Sequence, residues 1–348
     1  MSKTKAPVAS AAGSTSKDPG DALLMRDVRV SLPSAHGALK VIRGVTFTAG
    51  RGEVVALAGE SGSGKSTSIL AALRLLPPGA EVTGSVVLDG TDVLAMPRRK
   101  VRELRARRAR LVFQDPWRAL HPMKQIGAQL IESARSADPG LSRRAARELA
   151  EETLARVGIP EPAARMSSHP HEISGGQAQR VVIAMALVAR PAVLFCDEPT
   201  TALDVTTQAQ ILELLRDLNR ELGISIVIAT HDLDVIADVA DRLVVMYAGE
   251  VVEEGPTGEV LASPRHPYTW ALLRAAPGIG GGDRLQAIEG RPPSPAEDPP
   301  GCAFAPRCPS AHDVCRTVRP APREVAPGRM TACLRAEGYG PIPVEVIR

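Results

Sequence analysis

Short runs of apolar residues, separated by glycine, proline or polar residues, recur along the chain and predict β-strands. The runs occupy residues 23–32, 41–47, 53–58, 86–90, 111–113, 193–196 and 224–229. Several runs are apolar throughout rather than alternating, which is typical of strands covered on both faces of a parallel sheet. The pattern therefore predicts an α/β core, with an antiparallel β subdomain built from the first strands of the chain.

A helical period dominates residues 116–171 and predicts a helical subdomain over about 116–190. Its clearest helix spans 141–158, where Ser142 is placed to cap the N-terminus and Gly158 to end the helix. Other helices are predicted over 67–75, over 205–222 and twice within 257–277. Between 278 and 300 glycine and proline replace the apolar residues, which predicts a linker.

The composition limits the class of protein. Of the 348 residues 44% are hydrophobic and 23% are charged, and the formal net charge is +3, as in ordinary globular proteins. Neither this charge nor the 3% of aromatic residues indicates a nucleic-acid partner. Because we find no apolar run of about eighteen residues and no signal peptide, we expect a cytoplasmic protein that meets a membrane only through partners. Residues 1–20 lack periodicity and are predicted to be a disordered tail.

Basic residues crowd together between 98 and 110. A solvated helix face is the favoured interpretation, and a contact with anionic lipid or nucleic acid stays open.

One stretch fits the phosphate-binding pattern G-x-x-x-x-G-K-[ST] without a mismatch. It consists of Gly59, Glu60, Ser61, Gly62, Ser63, Gly64, Lys65 and Ser66, and Thr67 follows it. A predicted strand precedes the stretch and a predicted helix follows, so that backbone N–H groups and the helix N-terminus can surround a phosphate. In this chemistry Lys65 reaches the β- and γ-phosphates and the Ser66 hydroxyl ligates Mg²⁺. The stretch predicts binding of a nucleoside triphosphate.

Two carboxylates follow the predicted strand 193–196. Asp197 ends the strand, at the edge where a parallel α/β sheet presents its ligands. A carboxylate there can hold the Mg²⁺ that Ser66 also contacts, and Glu198 beside it can accept a proton from an attacking water. Downstream of the phosphate-binding stretch, the pair indicates hydrolysis of the triphosphate.

A longer series of motifs resembles that of ABC ATPases. Its members are, in chain order, the phosphate-binding stretch, Gln114, Ser174-Gly175-Gly176-Gln177, Asp197-Glu198, Ala202-Leu203-Asp204 and His231. The resemblance covers residues 21–260 and implies that the nucleotide is ATP. It also implies that Gln114 senses Mg²⁺ and couples to a membrane subunit, that Glu198 is the catalytic base, and that His231 contacts the γ-phosphate.

The same resemblance implies a head-to-tail dimer. In ABC ATPases the signature, here Ser174 to Gln177, contacts the γ-phosphate bound to the opposite subunit, for which its backbone N–H groups and helix N-terminus are suited. Asp204 is expected to cap the next helix and to line the dimer interface. The chain departs from the family in two ways. Leu32 stands where an aromatic ring usually stacks on adenine, so that apolar contact replaces stacking, and the signature continues with Ala178-Gln179-Arg180 in place of a bulkier residue, which we regard as tolerated.

Three stretches narrow the resemblance to the ATP-binding subunits of bacterial dipeptide, oligopeptide and nickel importers. They are Phe113-Gln114-Asp115-Pro116, His169-Pro170-His171-Glu172 and, over 264–269, Pro-Arg-His-Pro-Tyr-Thr. The implied function is ATP hydrolysis that energises uptake of di- or oligopeptides, from a peripheral position on the cytoplasmic face of the cell membrane. The implied partners are two permease subunits, a second ATPase subunit that is a paralogue, and an extracytoplasmic solute-binding protein. Uptake of nickel or another small solute stays an alternative, and a soluble ABC ATPase outside transport is a further one.

Four of the five cysteines fall in residues 301–348, which we interpret as a small module behind the helical extension and linker of 261–300. They are Cys302, Cys308, Cys315 and Cys333. A segment so poor in apolar residues is expected to need a metal in order to fold. The spacing lacks the C-x₂₋₄-C pair usual for zinc and favours a [4Fe–4S] cluster, which the resemblance also implies; zinc and free thiols stay open. The fifth, Cys196, is expected to be a small apolar core residue.

Overall fold

The computed structural model describes residues 20–35, 37–201, 203–276 and 287–335. Apart from residue 20, the predicted tail lies outside the described residues. The same holds for Ala202, for residues 278–286 of the predicted linker and for the last thirteen residues of the predicted cysteine module, 336–348. Within the described ranges no helix combines the length and the apolarity needed to cross a bilayer.

Each predicted apolar run overlaps one strand of the structure, and further strands lie where no run was predicted. In chain order the strands are β1 (Asp21–Ser34), β2 (Gly37–Gly50), β3 (Val54–Ala58), β4 (Glu81–Leu88), β5 (Thr91–Asp92), β6 (Ala109–Val112), β7 (Val193–Asp197), β8 (Ser225–Thr230), β9 (Arg242–Tyr247), β10 (Glu250–Pro256), β11 (Arg323–Ala326) and β12 (Arg329–Thr331).

These strands form two sheets. The smaller is antiparallel, in the order β2-β1-β4-β5, and the larger is mixed, in the order β11-β12-β10-β9-β3-β8-β7-β6. Within the larger sheet the five strands from β9 to β6 run parallel. Strands β3 and β8 are buried at every position, which explains why β3 is apolar throughout and why β8 is apolar between Ser225 and Thr230. The structure thus confirms the predicted α/β core and an antiparallel sheet. This sheet does not lie wholly ahead of the phosphate-binding stretch as predicted, because β1 and β2 precede the stretch whereas β4 and β5 follow it.

The helices cover the larger sheet. They are α1 (Lys65–Ala72), α2 (Arg98–Arg107), α3 (Pro116–Ala119), α4 (Ile126–Ala137), α5 (Arg143–Arg156), α6 (Pro162–Arg165), α7 (Gly175–Leu187), α8 (Val205–Leu222), α9 (Leu233–Val239), α10 (Thr257–Ala262), α11 (Pro267–Ala275) and α12 (Asp313–Thr317). The chain between β6 and β7 is helical, as its period predicts. The Ser142 hydroxyl accepts a hydrogen bond from the Ala145 N–H at 3.1 Å at the start of α5. The basic run forms α2, on which only Val101 and Leu104 are buried.

Strand β3 stands between two hydrophobic cores, one on each face of the sheet. Val55 and Leu57 pack with residues of β1, β2 and α1. Val54 and Ala56 point to the other face and pack with residues of α4, α5, α7 and α8. Because alternate side chains of a strand point to opposite faces, β3 packs against the antiparallel sheet on one face and against the helices on the other, and so connects the two parts. The phosphate-binding stretch leaves the end of this strand.

The C-terminal segment is attached to the same sheet. Strand β12 pairs antiparallel with β10, with Glu253 opposite Thr331. A buried ion pair lies at this junction, between Arg329 and Glu253 at 2.9 Å. The Glu253 carboxylate also accepts the backbone N–H groups of Arg265 and His266, at 2.7 and 2.8 Å, so the buried charge is paired and hydrogen-bonded. The cysteine-bearing segment therefore packs on the core.

The described part of the predicted linker, 287–300, contains no helix or strand but is held against β2. Lys40 and Arg43 of β2 each contact the Asp298 carboxylate at 2.7 Å, and Arg43 also donates to the Glu297 carbonyl. The Arg43 side chain is only 4% exposed. Hydrogen bonds from Lys40 and Arg319 lower the pKa of Asp298 to about 2.

We predict that Asp298→Asn lowers the free energy of unfolding at pH 7 by about 1 kcal/mol, because Arg43 stays buried while its partner loses its charge. Since the folded pKa is lower than the ordinary value near 4, the contribution of Asp298 is present above pH 4 and is lost as the pH falls toward 2. Denaturant unfolding at pH 7 and pH 3 measures both effects. Asp217→Asn, at an exposed position of α8, is the control. If Asp298→Asn lost the same free energy of unfolding at both pH values, the lowered pKa assigned to Asp298 would be contradicted.

Candidate functional site

The site lies where three parallel strands end side by side. Ala58, the last residue of β3, pairs with Thr230 of β8, and Asp197 of β7 pairs with Ala229. The residues that follow these strand ends therefore leave the sheet at one edge, the carboxyl edge where open α/β sheets present their ligands. This register brings the phosphate-binding stretch, Glu198 and His231 together although they are far apart in sequence.

The phosphate-binding stretch forms a tight loop that only glycine permits at two points. Gly59 has a φ of +148° and Gly64 a φ of +107°. A Cβ atom on Gly59 would lie 2.2 Å from the Met246 carbonyl oxygen, so a larger residue would displace the loop from β9. Helix α1 begins directly behind the loop, at Lys65. Its N-terminus therefore faces the space that the loop encloses.

The other residues of the loop differ in their exposure to solvent. Ser61 and Gly62 are exposed at its tip, whereas Ser63 and Gly64 are buried beneath it. Ser66 and Thr67 lie half-buried on the first turn of α1. The exposed tip and the buried base together form a cradle of backbone open to a ligand.

Lys65 is buried, and its ammonium group donates to the carbonyl oxygens of Gly59 at 2.7 Å and Glu60 at 3.1 Å. Burial lowers the pKa of Lys65, while the carboxylates of Glu198 and Asp197 oppose this shift. The ammonium thus lies between the loop and the two carboxylates, which is where a β/γ-phosphate bound in the loop would need a cation.

Ser66 and Asp197 form a pair of oxygen ligands. The Ser66 hydroxyl donates to the Asp197 carboxylate at 2.7 Å. Burial raises the pKa of Asp197, and the hydrogen bond from Ser66 works against this shift. Hydroxyl and carboxylate oxygens beside a phosphate site are the ligands that Mg²⁺ prefers, so the residues present fit a magnesium ion.

Three side chains hold the carboxylate of Glu198. The Gln114 amide donates to it at 3.2 Å and the Thr201 hydroxyl at 3.0 Å, and the His231 Nδ1 atom lies 3.2 Å from its other oxygen. The backbone of Glu198 has a φ of +47°, a conformation rare for a residue with a Cβ, and its N–H donates to the Ala229 carbonyl. Strain and hydrogen bonds together fix this carboxylate at the mouth of the loop.

The signature residues stand apart from this cluster. Ser174 caps α7 and forms a capping box with Gln177, in which each side chain accepts the other residue's backbone N–H, at 3.3 and 3.1 Å. Gly175 and Gly176 follow at the start of the helix, and a Cβ on Gly176 would lie 2.7 Å from the Thr207 side chain of α8. The signature therefore lies at a helix N-terminus, and among the described residues its side chains make no hydrogen bond to the phosphate-binding loop or to Glu198.

Asp204 and Leu32 occupy the two remaining predicted positions. The Asp204 carboxylate accepts from the Thr207 hydroxyl at 2.7 Å and its N–H at 2.9 Å, which caps α8 and lowers the pKa of Asp204. Leu32 lies near the end of β1, half-buried and packed against the core of the antiparallel sheet.

Three further residues contact the site. Thr201 lies three residues after Glu198, and this short spacing is the sequence signal that could have predicted its hydroxyl beside the carboxylate. Tyr268 accepts the Glu60 backbone N–H on its hydroxyl at 2.8 Å; the stretch that contains it carries part of the family resemblance, which assigns Tyr268 no role in the site. Arg307 pairs with the Glu60 carboxylate at 2.7 Å from a position 247 residues away, for which the sequence carries no signal.

The four C-terminal cysteines line one small cavity. Phe304, Pro320 and Leu334 contribute to its apolar wall. Burial raises the pKa of Cys302 to about 11. Over the described residues no group of three or more His, Cys, Asp or Glu side chains is arranged to hold a metal ion, so the structure does not confirm the predicted metal-cluster module. Cys196 is fully buried in β7, as expected for a core residue.

Comparisons with known proteins agree with this geometry. A family model described as "ABC transporter" matches residues 42–201, and one described as "Oligopeptide/dipeptide transporter, C-terminal region" matches residues 252–315. Among solved structures, the dimeric ATP-binding cassette MJ0796 in a post-hydrolysis state with ADP and Pi superposes with a TM-score of 0.61 at 28% identity, over 68% of this chain and 98% of that one.

Two relatives are similar over most of the chain. The Oligopeptide transport ATP-binding protein OppD of Bacillus subtilis is 45% identical over 287 residues, which cover 81% of this chain and 80% of the relative. The protein of that name from Mycobacterium tuberculosis is 44% identical over 317 residues, which cover 90% of this chain but 52% of the relative, so the chain spans about half the length of this mycobacterial protein. The chain belongs to the ABC transporter family, among its oligopeptide and dipeptide transport ATP-binding proteins.

Proposed function

We propose that this chain hydrolyses ATP in order to energise the uptake of di- and oligopeptides across the cytoplasmic membrane. The observation that carries the proposal is the carboxylate of Glu198, fixed by Gln114, Thr201 and His231 beside a phosphate-binding loop. A carboxylate held in this way can accept the proton of a water that attacks a γ-phosphate. The names of the relatives, which are oligopeptide and dipeptide transport proteins, support the cargo class.

Each residue of the cluster has a separate part in the proposed reaction. The loop N–H groups and Lys65 bind the β- and γ-phosphates, and the ammonium compensates the charge that develops as the bond to the γ-phosphate breaks. Glu198 accepts the proton from water, and His231, which contacts the other oxygen of that carboxylate, donates to a γ-phosphate oxygen. Gln114 orients Glu198 through its amide. Leu32 supplies apolar contact for the adenine.

Magnesium would be held by Ser66, Asp197 and Gln114. When bound, the ion neutralises phosphate charge and orients the β- and γ-phosphates. The Ser66–Asp197 hydrogen bond already holds the two oxygens on the same side of the loop.

The separation of the signature from the loop supports a dimer. Ser174 to Gln177 lie at the N-terminus of α7, which suits an anion, and we propose that this anion is the γ-phosphate bound by a second ATPase subunit, a paralogue. Asp204, at the start of the neighbouring α8, would line the same interface. Phe113 and Trp117 flank Gln114 and are 43% and 46% exposed, an apolar surface suited to permease subunits. We place the chain at the cytoplasmic face of the membrane, with two permeases and an extracytoplasmic solute-binding protein.

We predict that Glu198→Gln lowers the rate of ATP hydrolysis by at least about 100-fold, because the amide cannot accept the proton. The amide retains a hydrogen-bond acceptor for Thr201 and has nearly the same volume, so ATP binding should persist. Steady-state phosphate release and equilibrium binding of ATP, both on the full chain, separate the two effects. Glu213→Gln, on the exposed face of α8, is the control and should hydrolyse ATP at the parent rate. Hydrolysis by Glu198→Gln at that rate would show that another group is the base.

We also propose that Cys302, Cys308, Cys315 and Cys333 bind a [4Fe–4S] cluster. What supports the proposal is that all four side chains line one apolar cavity. A tetrahedral zinc ion, with Zn–S bonds of about 2.3 Å, would draw four sulfurs closer together than a larger cluster requires. A cluster buried there would have a structural or redox-sensing role, since hydrolysis of ATP transfers no electrons.

We predict that protein purified without oxygen contains iron and acid-labile sulfide in equal amounts and that Cys302→Ser loses most of both. Cys196→Ala is the matched control, because this fifth cysteine lies in β7 away from the cavity, and it should retain the parent content. Elemental analysis and a sulfide assay measure the result. Stoichiometric zinc without labile sulfide would show that the site binds zinc and not a cluster. If iron, sulfide and zinc were all absent, the cysteines would bind none of them.

A further inference from the structure

The phosphate-binding loop carries a negative charge at its second position. Glu60 lies between Gly59 and Ser61, and its side chain is 28% exposed. A triphosphate bound in this loop would bring several negative charges close to the Glu60 carboxylate, and like charges at such distances repel. A loop that contains an uncompensated carboxylate would therefore bind a nucleotide poorly.

Arg307 neutralises this carboxylate. Its guanidinium donates from both terminal nitrogens to the two carboxylate oxygens of Glu60, at 2.7 and 3.0 Å, which is the bidentate fork that arginine forms best. The Arg307 side chain is 4% exposed, so the pair is shielded from solvent on the arginine side. The hydrogen bonds to Glu60 raise the pKa of Arg307, which keeps its charge at any physiological pH.

Other groups fix Arg307 in this position. Its Nε atom donates to the Glu289 carbonyl at 2.9 Å, and one terminal nitrogen donates to the Ile288 carbonyl at 3.0 Å. The other terminal nitrogen lies 3.3 Å from the Tyr247 hydroxyl, at the end of β9. A side chain with this many fixed partners has a single orientation, and its fork acts as a rigid support for the carboxylate.

The backbone of Glu60 is engaged as well. Its N–H donates to the Tyr268 hydroxyl at 2.8 Å, and its carbonyl accepts from Lys65 at 3.1 Å. Tyr268 is fully buried and packs edge-on against Phe304, with ring centroids 5.4 Å apart. The polar groups of Glu60 are thus held by Lys65 of α1, by Tyr268 of α11 and by Arg307.

Arg307 belongs to the cysteine-bearing segment. It ends a short 3₁₀ turn, Ala305–Arg307, that lies between Cys302 and Cys308, and Phe304 precedes this turn. The wall of the four-cysteine cavity therefore continues directly into the fork that holds Glu60. Any change in the position of this turn would be transmitted to the loop through one side chain.

We infer that Arg307 is a positioning residue of the nucleotide site, which neutralises Glu60 so that the loop can accept a triphosphate, and that the C-terminal segment thereby contributes to ATP binding. The inference rests on the proposed function, since it requires that ATP binds at this loop. Arg307 acts through Glu60, because Glu60 lies between it and the loop. Its loss should therefore affect nucleotide affinity more than the chemical step.

The test is a set of variants of the full chain: Arg307→Gln, Glu60→Gln, the double variant, Arg307→Lys and Arg319→Gln. The last is the matched control, because Arg319 also ties the C-terminal segment down, through Asp298 at 2.9 Å and Glu250 at 3.4 Å, without contact to the loop. The measurements are the equilibrium affinity for Mg-ATP at low and high salt, and KM and kcat for its hydrolysis. Thermal unfolding of every variant reports on folding.

We expect Arg307→Gln to weaken ATP binding by about tenfold or more and to raise KM by the same factor with kcat nearly unchanged, because it leaves the Glu60 charge bare. The defect should shrink in high salt, as repulsion between partly exposed charges does. The double variant should recover most of the affinity, because the repelling charge is gone. Arg307→Lys, which keeps the charge but not the fork, should lie in between, and Arg319→Gln should bind like the parent.

A double variant no better than Arg307→Gln would show that Arg307 is only a structural anchor and would overturn the inference. The same conclusion follows if Arg307→Gln binds ATP like the parent. If Arg307→Gln does not fold, Arg307→Lys decides: parent affinity at both salt concentrations would overturn the inference, and a salt-sensitive loss would support it. A parent chain that binds no ATP would instead refute the proposed function, and this inference with it.

Discussion

The register of three parallel strands determines nearly everything about the candidate site. Because Ala58 pairs with Thr230 and Asp197 with Ala229, the chain leaves β3, β7 and β8 at one edge of the sheet. The phosphate-binding loop, Glu198 and His231 follow directly. The two cores that share β3 hold this register from both faces, since a shift of one residue would turn every buried side chain of the strand to the wrong core. The positions of the site residues are therefore fixed by the register of the sheet that carries them.

The C-terminal segment gives the molecule a second constraint. Together with the linker before it, this segment is attached at several separated places, among them the pairing of β12 with β10, the contacts of Asp298 with β2, and the contact of Arg307 with the loop. The first two attachments hold it to the scaffold. The third reaches the phosphate-binding loop itself, so that residues beyond 300 support a site whose motifs lie between 59 and 231. The sequence predicts a small module here, and in the structure this segment packs on the sheet and on the loop.

The part of the fold that could be predicted is the part with local signals. Continuous apolar runs located β3, β7 and β8, and Ser142, Asp204 and the glycines gave the caps and turns, because these signals lie within a few residues of their effect. Asp197 and Glu198 could be assigned to the edge of the sheet because parallel strands follow a general rule. The strands β9 and β10 were missing from the assignment, although 243–247 is an apolar run as clear as the others.

The contacts that could not be predicted join positions far apart in the sequence. Nothing around Arg307 indicates that its partner is Glu60, and nothing around Tyr268 indicates that its hydroxyl meets the loop backbone. Each contact depends on how the C-terminal segment folds back over the sheet. The strands that attach it, β11 and β12, are too short to give a clear signal in the sequence. The strained backbone of Glu198 is likewise set by its surroundings, since glutamate has no preference for a positive φ.

Whether this chain is the ATPase subunit of a peptide importer can be decided from the proteins that bind it in the membrane. The measurement is affinity purification of the tagged full chain from native membranes in mild detergent, followed by mass spectrometry of the proteins and of small molecules that accompany them. We expect to recover two integral membrane proteins, a second ATP-binding protein and a solute-binding protein that carries peptide. A metal chelate in place of the peptide would contradict the assigned cargo. Recovery with ribosomes or DNA, and with no integral membrane protein, would contradict the transport function itself.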